Sequence, residues 1–178
     1  MKEKLVDAIP TLDLSEFLTG DKEKKQNFVN QLGLAFESIG FVAITNHGYL
    51  QENQEELYAS IKEFYQLSDE VKLQYDGSRT GGQRGYTGKG KEHAAGRNVG
   101  DLKEFYHIGK YITESESDHS QKNIFPKEVP AFQTQTLNAY STLEGIGKTM
   151  LSAIALFLNI DEKHFEPRVN KGISILRP

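Results

Sequence analysis

The feature that most constrains the fold is one long helical pattern toward the C-terminal end of the sequence. Residues 130–159 place their apolar side chains on one stripe, and Pro130 suits a first-turn position. The stripe consists of Leu137, Tyr140, Leu143, Met150, Ile154 and Phe157. At about 1.5 Å per residue this helix is roughly 45 Å long, and it needs an extended apolar surface to pack on. The chain offers only about four short strands, so we expect a larger sheet to follow Pro178.

The remaining patterns predict short strands and helices, which indicates an α+β fold. Strands are predicted at 9–14, at 41–45 as a buried strand, at 103–110 and from 172 onward, and helices at 22–39, at 51–66 and after the N-cap Ser68. We expect three regions, namely 1–112, a connecting loop at 113–129 that is polar and exposed at 115–121, and 130–178 with the long helix.

Composition excludes several classes of protein. The chain has 178 residues, of which 37% are hydrophobic and 26% charged, which is typical of a soluble globular domain. A net charge of -4 argues against a general nucleic-acid binder. The sequence has no cysteine, which excludes disulfides and thiolate metal sites. No secretory signal is visible and no apolar stretch reaches the about 20 residues that span a bilayer, so we expect a cytoplasmic protein without a membrane segment.

A glycine-rich segment at 77–100 differs from its surroundings and is predicted to be a long, irregular loop. Residues 85–91 nearly match a phosphate-binding loop, but Glu92 stands where Ser or Thr should follow the lysine. A flexible basic loop is the better interpretation. Within this segment Arg84 could grip a substrate carboxylate through two hydrogen bonds, with Tyr86 adding a hydroxyl and an apolar face. The alternative is an ordinary solvated loop arginine.

The histidines do not predict a metal site. His164 and Glu166 have the His-x-acid spacing of two arms of an iron-binding facial triad, but an exposed histidine at a helix end is the better interpretation. His47 follows a strand and is expected to make a local hydrogen bond that fixes a turn. The other histidines, His93, His107 and His119, are isolated from any acid or histidine at a ligand spacing.

Seven short motifs occur in an order that resembles the isopenicillin N synthase-like family of iron(II)- and 2-oxoglutarate-dependent dioxygenases. They are residues 9–14 (Ile-Pro-Thr-Leu-Asp-Leu), 40–48 (Gly-Phe-Val-Ala-Ile-Thr-Asn-His-Gly), 64–72 (Phe-Tyr-Gln-Leu-Ser-Asp-Glu-Val-Lys), 84–86 (Arg-Gly-Tyr), 101–105 (Asp-Leu-Lys-Glu-Phe), 123–126 (Asn-Ile-Phe-Pro) and 175–178 (Ile-Leu-Arg-Pro). Ser68 and Leu102 depart from the family's usual Pro and Trp.

The resemblance implies the N-terminal helices, first strands and long supporting helix of a double-stranded β-helix, or jelly roll. It implies iron(II) and 2-oxoglutarate for the full-length protein, which would hydroxylate, desaturate or cyclise a small, carboxylate-bearing metabolite. In the family, a His-x-Asp…His triad and an Arg-x-Ser follow the Leu-Arg strand. We therefore expect no catalytic, metal-binding or cofactor-binding residue in this chain, a C-terminal jelly-roll half as its partner, and no turnover by the chain alone.

One substrate contact is implied by the same resemblance. The family has an arginine near its Gly-Tyr that holds a substrate carboxylate, and Arg84 is the nearest match, one position closer than expected. Tyr86 is the tyrosine of that motif. The alternative for the whole chain is a non-catalytic module that binds a ligand or partner with the 77–100 loop.

Overall fold

The structure is a computed structural model that describes residues 8–19, 21–93, 96, 99–112, 122–170 and 174–178. It confirms the α+β class. The strands are β1 (Thr11–Asp13), β2 (Ala43–Thr45), β3 (Gly85–Thr87), β4 (Phe105–Gly109) and β5 (Ile175–Leu176). The α-helices are α1 (Leu14–Leu18), α2 (Lys22–Ser38), α3 (Gln51–Tyr65), α4 (Asp69–Leu73), α5 (Pro130–Phe157) and α6 (Glu166–Val169), and a 3-10 helix spans Gly77–Thr80.

Contacts divide the chain into two compact units. The first unit contains Met1–Tyr49 and Leu143–Gly172, and the second contains Leu50–Thr142 and Ile173–Pro178. The predicted division at 113–129 stays a prediction, because residues 113–121, including the predicted polar loop at 115–121, lie outside the described residues.

The first unit is built around a parallel pair of strands, in which Leu12 of β1 lies opposite Ile44 of β2. Its core contains Leu12, Leu14, Phe17, Phe28, Val29, Leu32 and Ala153. The strand predicted at 41–45 is present as Ala43–Thr45, but the prediction that it is buried is wrong, because Phe41 is 66% exposed and Ala43 and Thr45 are exposed as well. A two-stranded ribbon is covered on one face only, and Ile44 is the strand residue that turns to the core.

Helix α1 was not predicted, since residues 9–14 alternate like a strand. The Asp13 side chain ends that strand by accepting a hydrogen bond from the Ser15 backbone N–H at 2.9 Å. This is an N-cap, which satisfies a donor that the first helical turn leaves open. The Asp13 carboxylate also accepts from Asn46 at 2.7 Å, so it joins the start of α1 to the turn after β2.

Helix α5 has 28 residues and is about 42 Å long, close to the prediction. The predicted apolar stripe is wrong at Leu143, which is 44% exposed. Small side chains, Ala139, Ala153 and Ala155, are buried instead, and the all-apolar stripe overlooked them. No helix in the described ranges is long and apolar enough to cross a membrane.

The second unit has an antiparallel sheet in the order β3-β4-β5 and an aromatic cluster around Phe64 of α3. Tyr86 of β3 lies opposite Tyr106 of β4, and Ile108 of β4 lies opposite Leu176 of β5. The Phe64 ring meets Tyr106, Phe132 and Tyr86 at centroid distances of 5.0, 5.4 and 5.7 Å. These rings form the core that supports strand β3.

The prediction that 77–100 lacks regular structure is wrong in its first half. The segment forms the 3-10 helix and then β3, whose Tyr86 N–H donates to the Tyr75 carbonyl at 2.8 Å. Gly85 makes this approach possible, because a Cβ there would stand 2.6 Å from the Tyr75 oxygen and its φ is +88°. Glycine serves here to bring two stretches of backbone together.

Packing in the first unit predicts opposite effects of two alanine substitutions. Gly33 of α2 is buried, and a Cβ added there would overlap the ring of Phe157. We expect Gly33→Ala to lower the free energy of unfolding by about 1–3 kcal/mol through overpacking. Gly145 in α5 faces open space, so Gly145→Ala should raise it by roughly 0.5–1 kcal/mol. Denaturant titration of both variants checks this, and equal effects would contradict the Gly33 contact.

Candidate functional site

Three distant parts of the sequence meet in one buried charge network in the second unit. The Lys72 ammonium of α4 lies 2.8 Å from a carboxylate oxygen of Glu104, just before β4, and the Lys72 side chain is 4% exposed. The Tyr86 hydroxyl of β3 donates to the same Glu104 oxygen at 2.5 Å. Asp69 lies 2.9 Å from Lys72, but its side chain is 83% exposed. The network therefore ties β3 and the start of β4 to α4.

The charges of this network are set by its contacts. Burial raises the pKa of Glu104, but the hydrogen bonds from Lys72 and Tyr86 lower it by a larger amount. The pKa of Glu104 is therefore below its usual value. Burial and the hydrogen bond to Glu104 raise the pKa of Tyr86 to about 12. Burial lowers the pKa of Lys72, and hydrogen bonds to Glu104 and Asp69 more than reverse this. At neutral pH the network is an ion pair with a protonated tyrosine.

Arg84 is buried, with only 2% of its surface exposed, so the alternative of a solvated loop arginine is wrong. Its guanidinium donates to the Gln83 carbonyl at 2.6 Å and lies directly against Gly109, the last residue of β4. Burial lowers the pKa of Arg84, yet an arginine remains charged in proteins. Neither Arg84 nor Tyr86 lines the open cavity of the second unit.

An open cavity of about 540 Å³ lies between the glycine-rich segment and the sheet of the second unit. The glycine-rich segment contributes Gly81, Gly82, Gln83, Thr87, Lys91 and Glu92 to its lining, and strands β4 and β5 with the residue after β5 contribute Phe105, His107, Ile175 and Arg177. The volume is in the range of small-molecule sites. The cavity joins sequence positions about a hundred residues apart.

Arg177 is the exposed cation on the strand side of this cavity. Its guanidinium carbon lies 4.1 Å from the centroid of the Phe105 ring, and its Nε donates to His107 at 2.8 Å. Within the described part of the chain, its two terminal amino groups make no hydrogen bond. Glu92, also at the cavity, pairs with Lys103 at 2.7 Å. The cavity thus offers guanidinium donors that suit a carboxylate.

Sequence reasoning missed this arrangement. The sequence places Arg177 only in the Leu-Arg motif, and it places His107 away from any acid or histidine at a ligand spacing. The alternation in β4 puts Phe105 and His107 on one face, and this signal was available from the sequence. Their pairing with β5 was not, because it depends on the register of strands far apart in the chain.

His164 and His47 behave as predicted, and His119 lies outside the described residues. His164 is exposed just before α6, beside Glu166, and the Nδ1 of His47 accepts a hydrogen bond from the Tyr49 backbone at 3.2 Å. Among the described residues, no group of three or more His, Asp, Glu or Cys side chains is placed to hold a metal ion.

Breaking the buried pair should be costly. Lys72→Met leaves Glu104 without its buried partner, and we expect a loss of roughly 3 kcal/mol in the free energy of unfolding. Lys103→Met removes an equivalent ammonium from an exposed pair with Glu92 and Asp101, and should leave the unfolding free energy nearly unchanged. Urea denaturation compares the two variants. Similar losses in both would contradict the buried role of Lys72.

Comparison with known proteins agrees with this architecture. The family described as "non-haem dioxygenase in morphine synthesis N-terminal" matches residues 9–130. The 2-oxoglutarate-Fe(II) type oxidoreductase hxnY of Emericella nidulans is 29% identical over 96% of this chain and 51% of its own length. Proline hydroxylase buaE of Petromyces alliaceus is 28% identical over 95% of this chain and 54% of its own length.

Solved structures give the same result. A 2-oxoglutarate-Fe(II) oxygenase family protein from Caulobacter crescentus superposes with a TM-score of 0.82 at 34% identity, covering 97% of this chain and 55% of that one. A full-length Neurospora crassa protein, solved in complex with α-ketoglutarate, superposes with a TM-score of 0.81 at 26% identity, covering 99% and 56%. The chain spans about half the length of these relatives. The chain therefore belongs to the 2-oxoglutarate- and iron(II)-dependent dioxygenases, as an N-terminal portion of their jelly-roll fold.

Proposed function

We propose that the full-length protein is a cytoplasmic 2-oxoglutarate- and iron(II)-dependent oxygenase that oxidises a small, carboxylate-bearing metabolite. A C-terminal jelly-roll half would bind iron(II) and 2-oxoglutarate, which supply the oxidising chemistry. The same proposal includes the three predicted regions, 1–112, the connecting loop 113–129 and 130–178. Within this chain, the cavity between the glycine-rich segment and strands β4 and β5 would form one wall of the substrate pocket.

The observation that carries the proposal is Arg177 in that cavity. Its Nε and its aromatic contact hold the guanidinium in place, so the terminal amino groups can meet a carboxylate without losing much side-chain freedom. Lys91 adds a second cation to the cavity lining. The relative from Petromyces alliaceus is named a proline hydroxylase, and proline carries a carboxylate.

Activity should depend on the carboxylate of the substrate. The full-length protein is supplied with iron(II), 2-oxoglutarate and oxygen. It is then offered small amino and hydroxy acids, each with its neutral amide, and nucleobases, which carry no carboxylate. We expect succinate formation to rise with a carboxylate compound and to stay at background with its amide, because only the charged group pairs with the cationic cavity. Equal stimulation by an acid and its amide would contradict the carboxylate preference.

Arg177→Gln should raise the KM for the carboxylate substrate about 10- to 100-fold, the equivalent of one charge-assisted hydrogen-bond pair. Arg79→Gln is the matched control, because Arg79 is an exposed arginine in the same glycine-rich segment that does not line the cavity. Steady-state kinetics of the two variants gives the comparison. If both variants keep the original KM, Arg177 does not hold the substrate.

Arg84 and Tyr86 stay predicted substrate-binding residues, and the same kinetics tests them. Tyr86→Phe and Arg84→Lys keep most of the buried volume, which the packing of these side chains requires. A direct contact requires that the KM for substrate rises in each variant. An unchanged KM in both would leave Arg84 and Tyr86 with structural roles only.

A further inference from the structure

His107 connects the two sides of the cavity through both of its ring nitrogens. It lies in β4 and is 6% exposed. Its Nδ1 is 2.7 Å from the Gly82 carbonyl oxygen, and its Nε2 is 2.8 Å from Arg177 Nε. A carbonyl only accepts and an arginine only donates, so Nδ1 must carry the proton and Nε2 must accept. The partners therefore fix the neutral ring in one tautomer.

The fold brings these partners together from separate strands. Ile108 lies opposite Leu176 in the antiparallel pair, so the preceding and following residues, His107 and Arg177, face each other as the next cross-strand pair. On its other side His107 lies opposite Gly85 of β3, which carries no side chain. The ring thus reaches the Gly82 turn, whose φ of +77° depends on glycine.

The Arg177 guanidinium is held from two directions. The centroids of the Phe105 and His107 rings are 4.7 Å apart. The guanidinium carbon of Arg177 lies 4.1 Å from the centroid of the Phe105 ring. The Phe105 ring contacts one face of the guanidinium, and its Nε–H donates to His107. Among the described residues, these contacts leave the two terminal amino groups available to a ligand. Without the His107 acceptor, the aromatic contact is what would remain of these two among the described residues.

We propose that His107 is a positioning residue for ligand binding: its neutral ring holds Arg177 and the Gly82 turn in the arrangement that grips a carboxylate, and its protonation releases Arg177. This inference rests on the proposed function, in which the cavity accepts a carboxylate. Protonated His107 has no lone pair for Arg177 Nε and would place a second cation beside the guanidinium.

The surroundings of His107 favour its neutral form. Burial, with the nearby charges of Arg177 and Arg84, lowers the pKa of His107 below its usual value, although the hydrogen bond to Gly82 and the charge of Glu92 act in the opposite direction. Lys91 is the remaining charged group of the cavity lining. Since the folded protein prefers the neutral ring, the Arg177 contact is complete at neutral pH and is lost as the pH falls through this pKa.

Two substitutions separate positioning from a merely structural role. In His107→Gln the side-chain amide reaches the position of Nε2 and can accept from Arg177. In His107→Asn the shorter amide reproduces only the Nδ1 donor to the Gly82 carbonyl. The probe is benzoate, with benzamide as its neutral match, titrated into the full-length protein. The readout is the NMR signal of the Arg177 Nε–H group, assigned with Arg177→Gln.

We expect His107→Asn to weaken benzoate binding about tenfold and His107→Gln to keep it within about threefold. As the pH falls below about 6.5, the usual value for histidine, benzoate affinity should fall more steeply in the unaltered protein than in His107→Gln. Equal weakening in both variants, or none in either, overturns the positioning role while the carboxylate site stands. If the unaltered protein binds benzoate no better than benzamide, the carboxylate site itself fails, and the positioning role fails with it.

Discussion

The arrangement of the second unit depends on one buried ion pair, between Lys72 and Glu104. Two charges removed from water are stable only when each is paired and further hydrogen-bonded, and here the Tyr86 hydroxyl supplies the additional bond to Glu104. Three of the family-like motifs, at 64–72, 84–86 and 101–105, contribute Lys72, Tyr86 and Glu104 to this network. Their shared presence in one sequence therefore has a physical basis: they fix helix α4 and strands β3 and β4 relative to one another.

The cavity is a consequence of this arrangement. Tyr86 anchors β3 at the ion pair and the Phe64 cluster, and the chain just before it carries Gly82 and Gln83 to the cavity edge. Strand β4 starts one residue after Glu104 and presents Phe105 and His107 to the same space. Tyr86 thus holds the wall in place, and the side chains that line the cavity include the sequence neighbours of Arg84 and Tyr86.

Local signals predicted helices α2, α3, α4 and α5 well. Ser68 caps α4 through a hydrogen bond to the Val71 N–H, and α2 and α3 end within one residue of the predicted positions. The signals failed where tertiary contacts decide the outcome. Strand β3 lies in a glycine-rich stretch that is predicted to be irregular. It forms because Tyr86 hydrogen-bonds to the Tyr75 carbonyl, pairs with Tyr106 in β4 and packs on the Phe64 ring. The pairing of His107 with Arg177 depends on the register of strands 70 residues apart, which local sequence does not encode.

The position of Arg84 against Gly109 has a consequence for how related sequences can vary. A side chain of any size at 109 would occupy the volume that the guanidinium fills, so the two sites must change together. A homologue with alanine or a larger residue at the end of this strand has no room for a buried arginine at the position of Arg84. We therefore expect positions 84 and 109 to covary among relatives, with a smaller side chain at one position where the other carries a larger one.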